Sequence, residues 1–383
     1  MQTTEEKLHV FFVASWYPSK IHPTLGNFCQ QHAIALAGLH KVSVLSIHSD
    51  EKASKTTVEI TTKGSLTEYR YYYPKIQSTH LFATFVRFFL VLNCYLKGRS
   101  KIQKEQGKIA ITHLNVAEPL GIFVLISKLI HRSRYLLTEH ASAFTHPQFR
   151  SSWLLRKIMA NTAIITPVSD YLQEKMSHSF PNSAYTTVGN TIDCSVFKPT
   201  NTPPKNKTFL HISNGDFSSK NVFGILEAVK LLTQSRKDFQ LKIICDGDTK
   251  LLHEKCRELN LLNSFVFFES TQKSEAIAKA IQEGIATILF SNYETFGIVA
   301  IESLACGVPV IASRIPVFES LISAKEGILV TPKATTELTE AMQTLLSDPS
   351  IFDNNALRTK ALIYDYTVIA NEFTKLYKTI LRN

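Results

Sequence analysis

No run of about twenty residues in this 383-residue chain is both apolar and free of charge, so no membrane-spanning helix is expected. The first seven residues, Met1 to Lys7, are polar and acidic. A basic leader before an apolar core is missing, which argues against a signal peptide. None of the six cysteines (Cys29, Cys94, Cys194, Cys245, Cys256, Cys306) forms a C-x-x-C pair, and several sit in apolar contexts. They read as reduced, mostly buried thiols of a cytosolic protein, neither a disulfide framework nor a zinc site. There is no short-period repeat and no recognisable nucleic-acid module.

Charge is unevenly placed. Residues 1–198 carry 22 Lys and Arg against 12 Asp and Glu, and residues 199–383 carry 20 of each. All the excess positive charge is in the first half. Nucleic acid and an anionic membrane face are the usual partners of such a patch. With no nucleic-acid module, the membrane face is the expectation. The segment from Leu81 to Lys97 is apolar and aromatic, with Arg87 inside it and Lys97, Arg99 and Lys101 at its end. Phe82, Phe85, Phe88 and Phe89 can share one broad helical face. The segment is either a core helix or a docking face for a bilayer.

Both halves alternate strand and helix signals, which predicts two α/β domains with parallel sheets. Strands are expected at residues 8–14, 42–47, 110–112, 135–138 and 163–168, with a helix over 28–39. After the polar, proline-containing linker at 198–207 the alternation restarts. Strands are expected at 208–213, 241–245, 265–268 and 285–290, with helices over 222–232 and 363–382. The expected domains are 1–197, joined by a closing helix at about 365–383, and 198–364.

The most informative stretch runs from Ser291 to Ser313 and reads as loop, helix, strand after the buried strand at 285–290. Gly297 allows close backbone approach at a helix N-terminus, whose free N–H groups and positive dipole end suit a phosphate. Glu294 and Glu302 bracket it. Carboxylates do not bind phosphate, but they accept hydrogen bonds from hydroxyl groups. Phosphate donors between two hydroxyl-binding carboxylates suit a sugar nucleotide, with one carboxylate on the sugar and the other on the ribose.

The block "ETFGIVAIE" followed by "ACGVPVIAS" resembles the E-x7-E element of retaining glycosyltransferases of the GT-B fold, family 4 in particular. The resemblance implies two Rossmann-like domains facing across a cleft, with the last helix crossing back to the first domain. It places Glu302 on the ribose and Glu294 on the sugar, with backbone contacts from Phe296, Gly297 and Ile298. The loop Asn214 to Asn221 resembles the family's "G-R-L-x-x-x-K-G" element and begins with Gly215. Lys220 holds the lysine position and would steady the departing diphosphate. Asp216 stands where the family has arginine, so either the loop turns it away or the site has one cation fewer. Asp246-Gly247-Asp248 matches a family turn, and no metal is expected. In the first half, "TEH" resembles the family's "T-x-H" element, placing His140 toward the donor sugar, whereas His113 reads as structural. Gly26, in "HPTLGNF", matches a loop that approaches donor phosphate and acceptor.

The resemblance thus implies a metal-independent, retaining hexosyltransferase that uses a UDP- or GDP-sugar. Its acceptor would be a glycan or a lipid-linked glycan of surface polysaccharide or lipopolysaccharide biosynthesis, at the inner membrane face. A GT-B sugar-nucleotide epimerase and a degenerate, non-catalytic nucleotide binder are the alternatives. Asp216 favours the second of these.

Overall fold

The computed structural model describes residues 7–382, apart from Thr79, Pro147, Asn201, Pro203, Lys205, Asn214 and Gln272. The acidic start of the chain, part of the expected linker and the first residue of the Lys220 loop therefore lie outside the described residues. The chain divides into two units, Met1–Thr191 with Tyr366–Asn383, and Ile192–Asp365.

The first unit contains β1 (His9–Ala14), α1 (Asn27–Ala37), β2 (Lys41–Asp50), β3 (Thr57–Lys63), β4 (Leu66–Pro74) and α2 (Leu81–Gln106). It continues with β5 (Ile111–Asn115), α3 (Gly121–His131), β6 (Tyr135–Glu139), α4 (Trp153–Asn161), β7 (Ile164–Pro167) and α5 (Asp170–Ser179). Its sheet has the order β3-β4-β2-β1-β5-β6-β7. Every pairing is parallel except that of β3 with β4. β3 is exposed along its whole length. It holds only two apolar residues, Val58 and Ile60, too short an alternation to stand out in the sequence.

β1 is buried at every position, as expected for a strand covered on both faces. Successive side chains point to opposite faces. Phe11 meets Tyr95 and Arg99 of α2. Phe12 meets His113, which in turn contacts Phe373 and Tyr377 near the C-terminus. His113 is fully buried and commits both nitrogens, to Tyr377 Oη at 2.6 Å and Thr138 Oγ1 at 2.7 Å.

The second unit contains β8 (Thr208–Ser213), the single turn α6 (Phe217–Lys220), α7 (Val222–Leu232), β9 (Gln240–Cys245), α8 (Lys250–Glu258), β10 (Val266–Glu269) and α9 (Ser274–Gln282). Next come β11 (Ala286–Leu289), α10 (Ile298–Ala305), β12 (Val310–Ser313), α11 (Pro316–Leu321), β13 (Gly327–Val330), α12 (Thr335–Ser347) and α13 (Asn354–Ala361). Its all-parallel sheet has the order β10-β9-β8-β11-β12-β13. The chain then re-enters the first unit as α14 (Tyr366–Arg382), where Thr374 Oγ1 bonds His40 Nε2 at 2.7 Å. Both units are doubly wound, Rossmann-like α/β folds.

Two expectations need correction. The boundary falls at Thr191, six residues before the expected one. Hydrogen bonds explain the shift. Ile192 N donates to Tyr364 O, and Arg358 reaches the carbonyls of Cys194 and Phe197, so residues 192–197 are fastened to the second unit. The second concerns α2. Despite Arg87, this 26-residue helix is, by length and composition alone, apolar enough to cross a bilayer. Its two ends differ. Cys94, Tyr95, Gly98, Arg99 and Ile102 are buried, while Leu81, Phe82, Phe85 and Phe89 are exposed. α2 is a core helix at one end and an open apolar face at the other. All six cysteines are free and buried.

Candidate donor site

The loop after β11 leads from Ser291 to Gly297, which stands at the N-cap of α10 with φ of 80°. A Cβ there would lie 2.6 Å from Cε1 of Phe318. Glycine is therefore required by backbone hand and by the Phe318 ring. Packing against Phe318 is thus a reason for this glycine that its sequence context does not name. No side chain caps α10 and no acid lies in its first turn. Its leading N–H groups point out of the helix without a side-chain acceptor, the arrangement that suits phosphate oxygens.

Glu294 sits just ahead of this terminus. Lys220, at the end of α6, donates from Nζ to Glu294 Oε1 in a half-buried ion pair. Ser291 Oγ donates to the same oxygen at 3.2 Å. The two loops are joined further by Asn292, whose backbone N–H donates to Ser219 O and whose Nδ2 donates to Ser218 O, both at 2.7 Å. The structure thus brings Lys220 and Glu294 together, across 74 residues of sequence. Without a ligand they answer each other's charge.

Asp216 is the N-cap of α6. Its Oδ1 accepts from Ser219 N at 3.1 Å and its Oδ2 from Ser219 Oγ at 2.5 Å. These bonds, the Ser219 hydroxyl first, hold the carboxyl below its ordinary value. The carboxylate in the arginine position thus has a local task. Gly215, with φ of 84°, packs against Gly247, whose Cα would lie 3.0 Å from an added Cβ. Close passage of the two loop backbones and the positive φ account for Gly215. Asp248 accepts from Lys250 N at 2.9 Å at the start of α8.

Glu302 lies in the second turn of α10. It is half-buried, and loss of hydration pushes its carboxyl up to about 8. Among the described residues its side chain has no hydrogen-bond partner. Phe296 is buried edge-on to Tyr364, with ring centroids 5.4 Å apart, and Ile298 begins α10.

Residues 195–361 match the family model described as glycosyl transferases group 1, a span that lies within the second unit. The second unit thus matches the glycosyl transferases group 1 model over almost its whole length. Across a longer stretch the chain is 25% identical, over 304 residues, to an N-acetyl-alpha-D-glucosaminyl L-malate synthase of Bacillus anthracis. That covers 73% of this chain and 77% of the relative. A sucrose-phosphate synthase of Thermosynechococcus elongatus superposes with a TM-score of 0.73 at 18% identity, over 98% of this chain and 100% of the other. HepE of Anabaena, determined in complex with UDP and glucose, gives 0.73 at 16% identity over 97% and 100%. The fold is that of the GT-B glycosyltransferases.

The group 1 match leaves the first unit outside, where Gly26 and His140 lie. Gly26, with φ of 72°, caps α1, and a Cβ would strike the Trp16 backbone at 2.4 Å. His140 follows β6 and stacks on Phe28 of α1, with ring centroids 4.4 Å apart. It is buried, and neither ring nitrogen has a hydrogen-bond partner at bonding geometry. Burial, with His32 and His113 nearby, lowers its pKa well below the ordinary value, so the ring is neutral. Asn190, which interacts with it, and Asn115, at the end of β5, also carry buried unpartnered polar atoms. Sequence reasoning missed both asparagines. For Asn115 the position at the end of β5, where α/β ligands bind, was the available signal, whereas Asn190 lies in the coil after α5.

Proposed function

We propose that the chain is a retaining, metal-independent hexosyltransferase that moves a sugar from a UDP- or GDP-sugar to a glycan or lipid-linked acceptor. The observation that carries this reading is the grouping of Lys220, Glu294 and Glu302 around the uncapped start of α10. The donor diphosphate lies against that helix start. Lys220 exchanges its bond to Glu294 for the diphosphate and stabilises the charge that grows as the sugar–phosphate bond breaks. Glu294, released, accepts from sugar hydroxyls, and Glu302 accepts from the ribose. In the first unit, which takes the acceptor, neutral His140 is a hydrogen-bonding group for a sugar hydroxyl. HepE, determined with UDP and glucose, supports a nucleotide-sugar ligand for this fold.

Asp216 was the ground for a degenerate binder. As the cap of α6 it has a structural reason to be there, and Lys220 is retained beside it. Surface-polysaccharide or lipopolysaccharide assembly at the cytosolic membrane face fits the basic first half, which suits an anionic surface.

A thermal-shift panel with UDP, GDP, ADP and their sugar conjugates, with and without magnesium, tests the donor. One nucleotide family should raise the melting temperature equally in both conditions. Stabilisation that requires magnesium would overturn the metal-independent reading. Proton NMR of the product made from an α-linked donor should show an α-linkage, and a β-linkage would overturn retention.

A further inference from the structure

We infer that the helical layer α2–α3–α4 of the first unit is the surface that docks on an anionic bilayer. The inference rests on the proposed membrane-side function and names the face that performs it. The three helices cover one side of the sheet. Phe11 meets α2, Phe88 and Tyr95 of α2 meet Phe123 of α3, and Lys128 of α3 donates to Asn161 O of α4. Their outward side is open and apolar. Leu81, Phe82, Phe85, Leu129, Ile130 and Trp153 are between 61% and 91% exposed. In the rest of the described chain only Leu251 is an equally exposed large apolar residue. Six such side chains lie on this one layer, and exposed apolar surface on that scale marks an interaction surface.

Charge selects the occupant. The three helices hold 8 Lys and Arg and a single acid, Glu105, which is paired with Lys101. On the other side of the sheet, α1 has no charged residue and α14 has three Lys and Arg against one Glu. Aromatic and leucine side chains among cations fit lipid headgroups of negative charge. A protein partner of the same chemistry would need an acidic, apolar groove, whereas a bilayer matches a broad face of about 39 Å, the length of α2. At the layer's edge, Lys128, Arg132 and Arg134 line a groove of about 570 Å³ with no carboxylate. Lys128 and Arg134 also donate to the last carbonyls of α4 and α14. Arg132 has no partner among the described residues and is free to take a headgroup phosphate in this groove.

The test is co-sedimentation of the full chain with vesicles of phosphatidylcholine alone or enriched in phosphatidylglycerol. Donor-nucleotide thermal shifts are read on the same samples. Binding should require phosphatidylglycerol and weaken at high salt. The double variants F82E/F85E and L129E/I130E should each lower vesicle affinity roughly tenfold or more. L251E, on the second unit, should leave it unchanged. All of these side chains are exposed, so the variants should keep the wild-type melting temperature and nucleotide shift. Vesicle-independent behaviour of the wild type, equal binding by the variants, or a solution dimer abolished by F82E/F85E would overturn the inference. A lost nucleotide shift in the wild type would instead strike the donor reading.

Discussion

Glu139 in the first unit and Glu302 in the second are both carboxyls deprived of water, and the protein answers only one of them. Glu139 ends β6 and accepts from the backbone N–H groups of Ala117, His140 and Ala141, at 3.0, 2.9 and 3.0 Å. Burial raises its pKa while those three bonds pull it back. Glu302 is half-buried with no such bonds, and loss of hydration raises its carboxyl to about 8. A buried polar group without partners is costly, so it persists where a ligand will satisfy it. The same contrast separates His113, with both nitrogens engaged, from His140, with neither. On the proposed function, Glu302 and His140 are the unpartnered groups that substrate would satisfy.

Lys220 and Glu294 lie between these cases, because each is the other's partner; on the proposed function, the donor diphosphate takes Lys220 from Glu294. Breaking this pair should give the largest effect. Lys220→Ala should lower kcat by about 10²–10³-fold, the range for removing one donor to developing transition-state charge. Single-turnover kinetics at saturating donor would check it. A change confined to KM would mean that Lys220 contributes equally to ground-state binding and transition state.

Stability sharpens the contrast. Glu139→Ala strands three backbone N–H groups and should cost on the order of 3 kcal/mol, whether or not ligand is present. Glu302→Gln should do the opposite. Glu302 has a folded value of about 8 against an ordinary 4.5. The stability linked to its neutral form is complete below the unfolded value and is lost as pH rises toward about 8. Gln stays neutral, so the variant should gain on the wild type across that window, by up to a few kcal/mol. Thermal melts across the same pH range decide it. A parallel loss in both variants would end the comparison.

Binding gives a smaller and more specific test. Ribose hydroxyls favour the ionised Glu302, so nucleotide binding at neutral pH should release a proton and strengthen toward about pH 8. Calorimetry in buffers of different ionisation enthalpy reads the proton directly. Glu302→Ala should weaken nucleotide and nucleotide sugar alike, by roughly tenfold, the value of one charged hydrogen bond. Glu294→Ala should weaken the nucleotide sugar more than the nucleotide. Equal losses from the two variants would contradict the separate roles.

Much of this arrangement was legible in the sequence where chemistry is local. The run from Thr208 to Ser213 is a strand, and Val222 to Leu232 a helix, as the apolar patterns require. Glu294, Gly297 and Glu302 stand close in sequence and need only one loop and one helix to meet. The alternation pointed to two α/β domains, and the resemblance carried by that block pointed to the GT-B fold. Longer-range information was hidden. The reason for Gly297 is the Phe318 ring, and no local pattern names it. The partnering of Glu139 depends on Ala117, which belongs to another strand's loop. The unit boundary depends on Arg358, more than 160 residues from Cys194. The two characters of α2 depend on which turns the sheet covers.

Asp216 is the place where the sequence pattern and the geometry disagree most, and it carries the smallest predicted effect. By position it replaces an arginine, so removing its charge should strengthen diphosphate binding if the carboxylate faces the ligand. By geometry it caps α6 through Ser219, and the cap holds the turn that delivers Lys220 to Glu294. Asp216→Ala should then cost about 1 kcal/mol of stability, the usual value of an N-cap. It should reduce nucleotide-sugar binding slightly through a looser Lys220. Asp216→Asn, which keeps a side-chain acceptor while losing the charge, separates the two ideas. Near-normal stability with unchanged affinity supports the cap. A clear gain in affinity for the free nucleotide diphosphate would show that the carboxylate repels the donor.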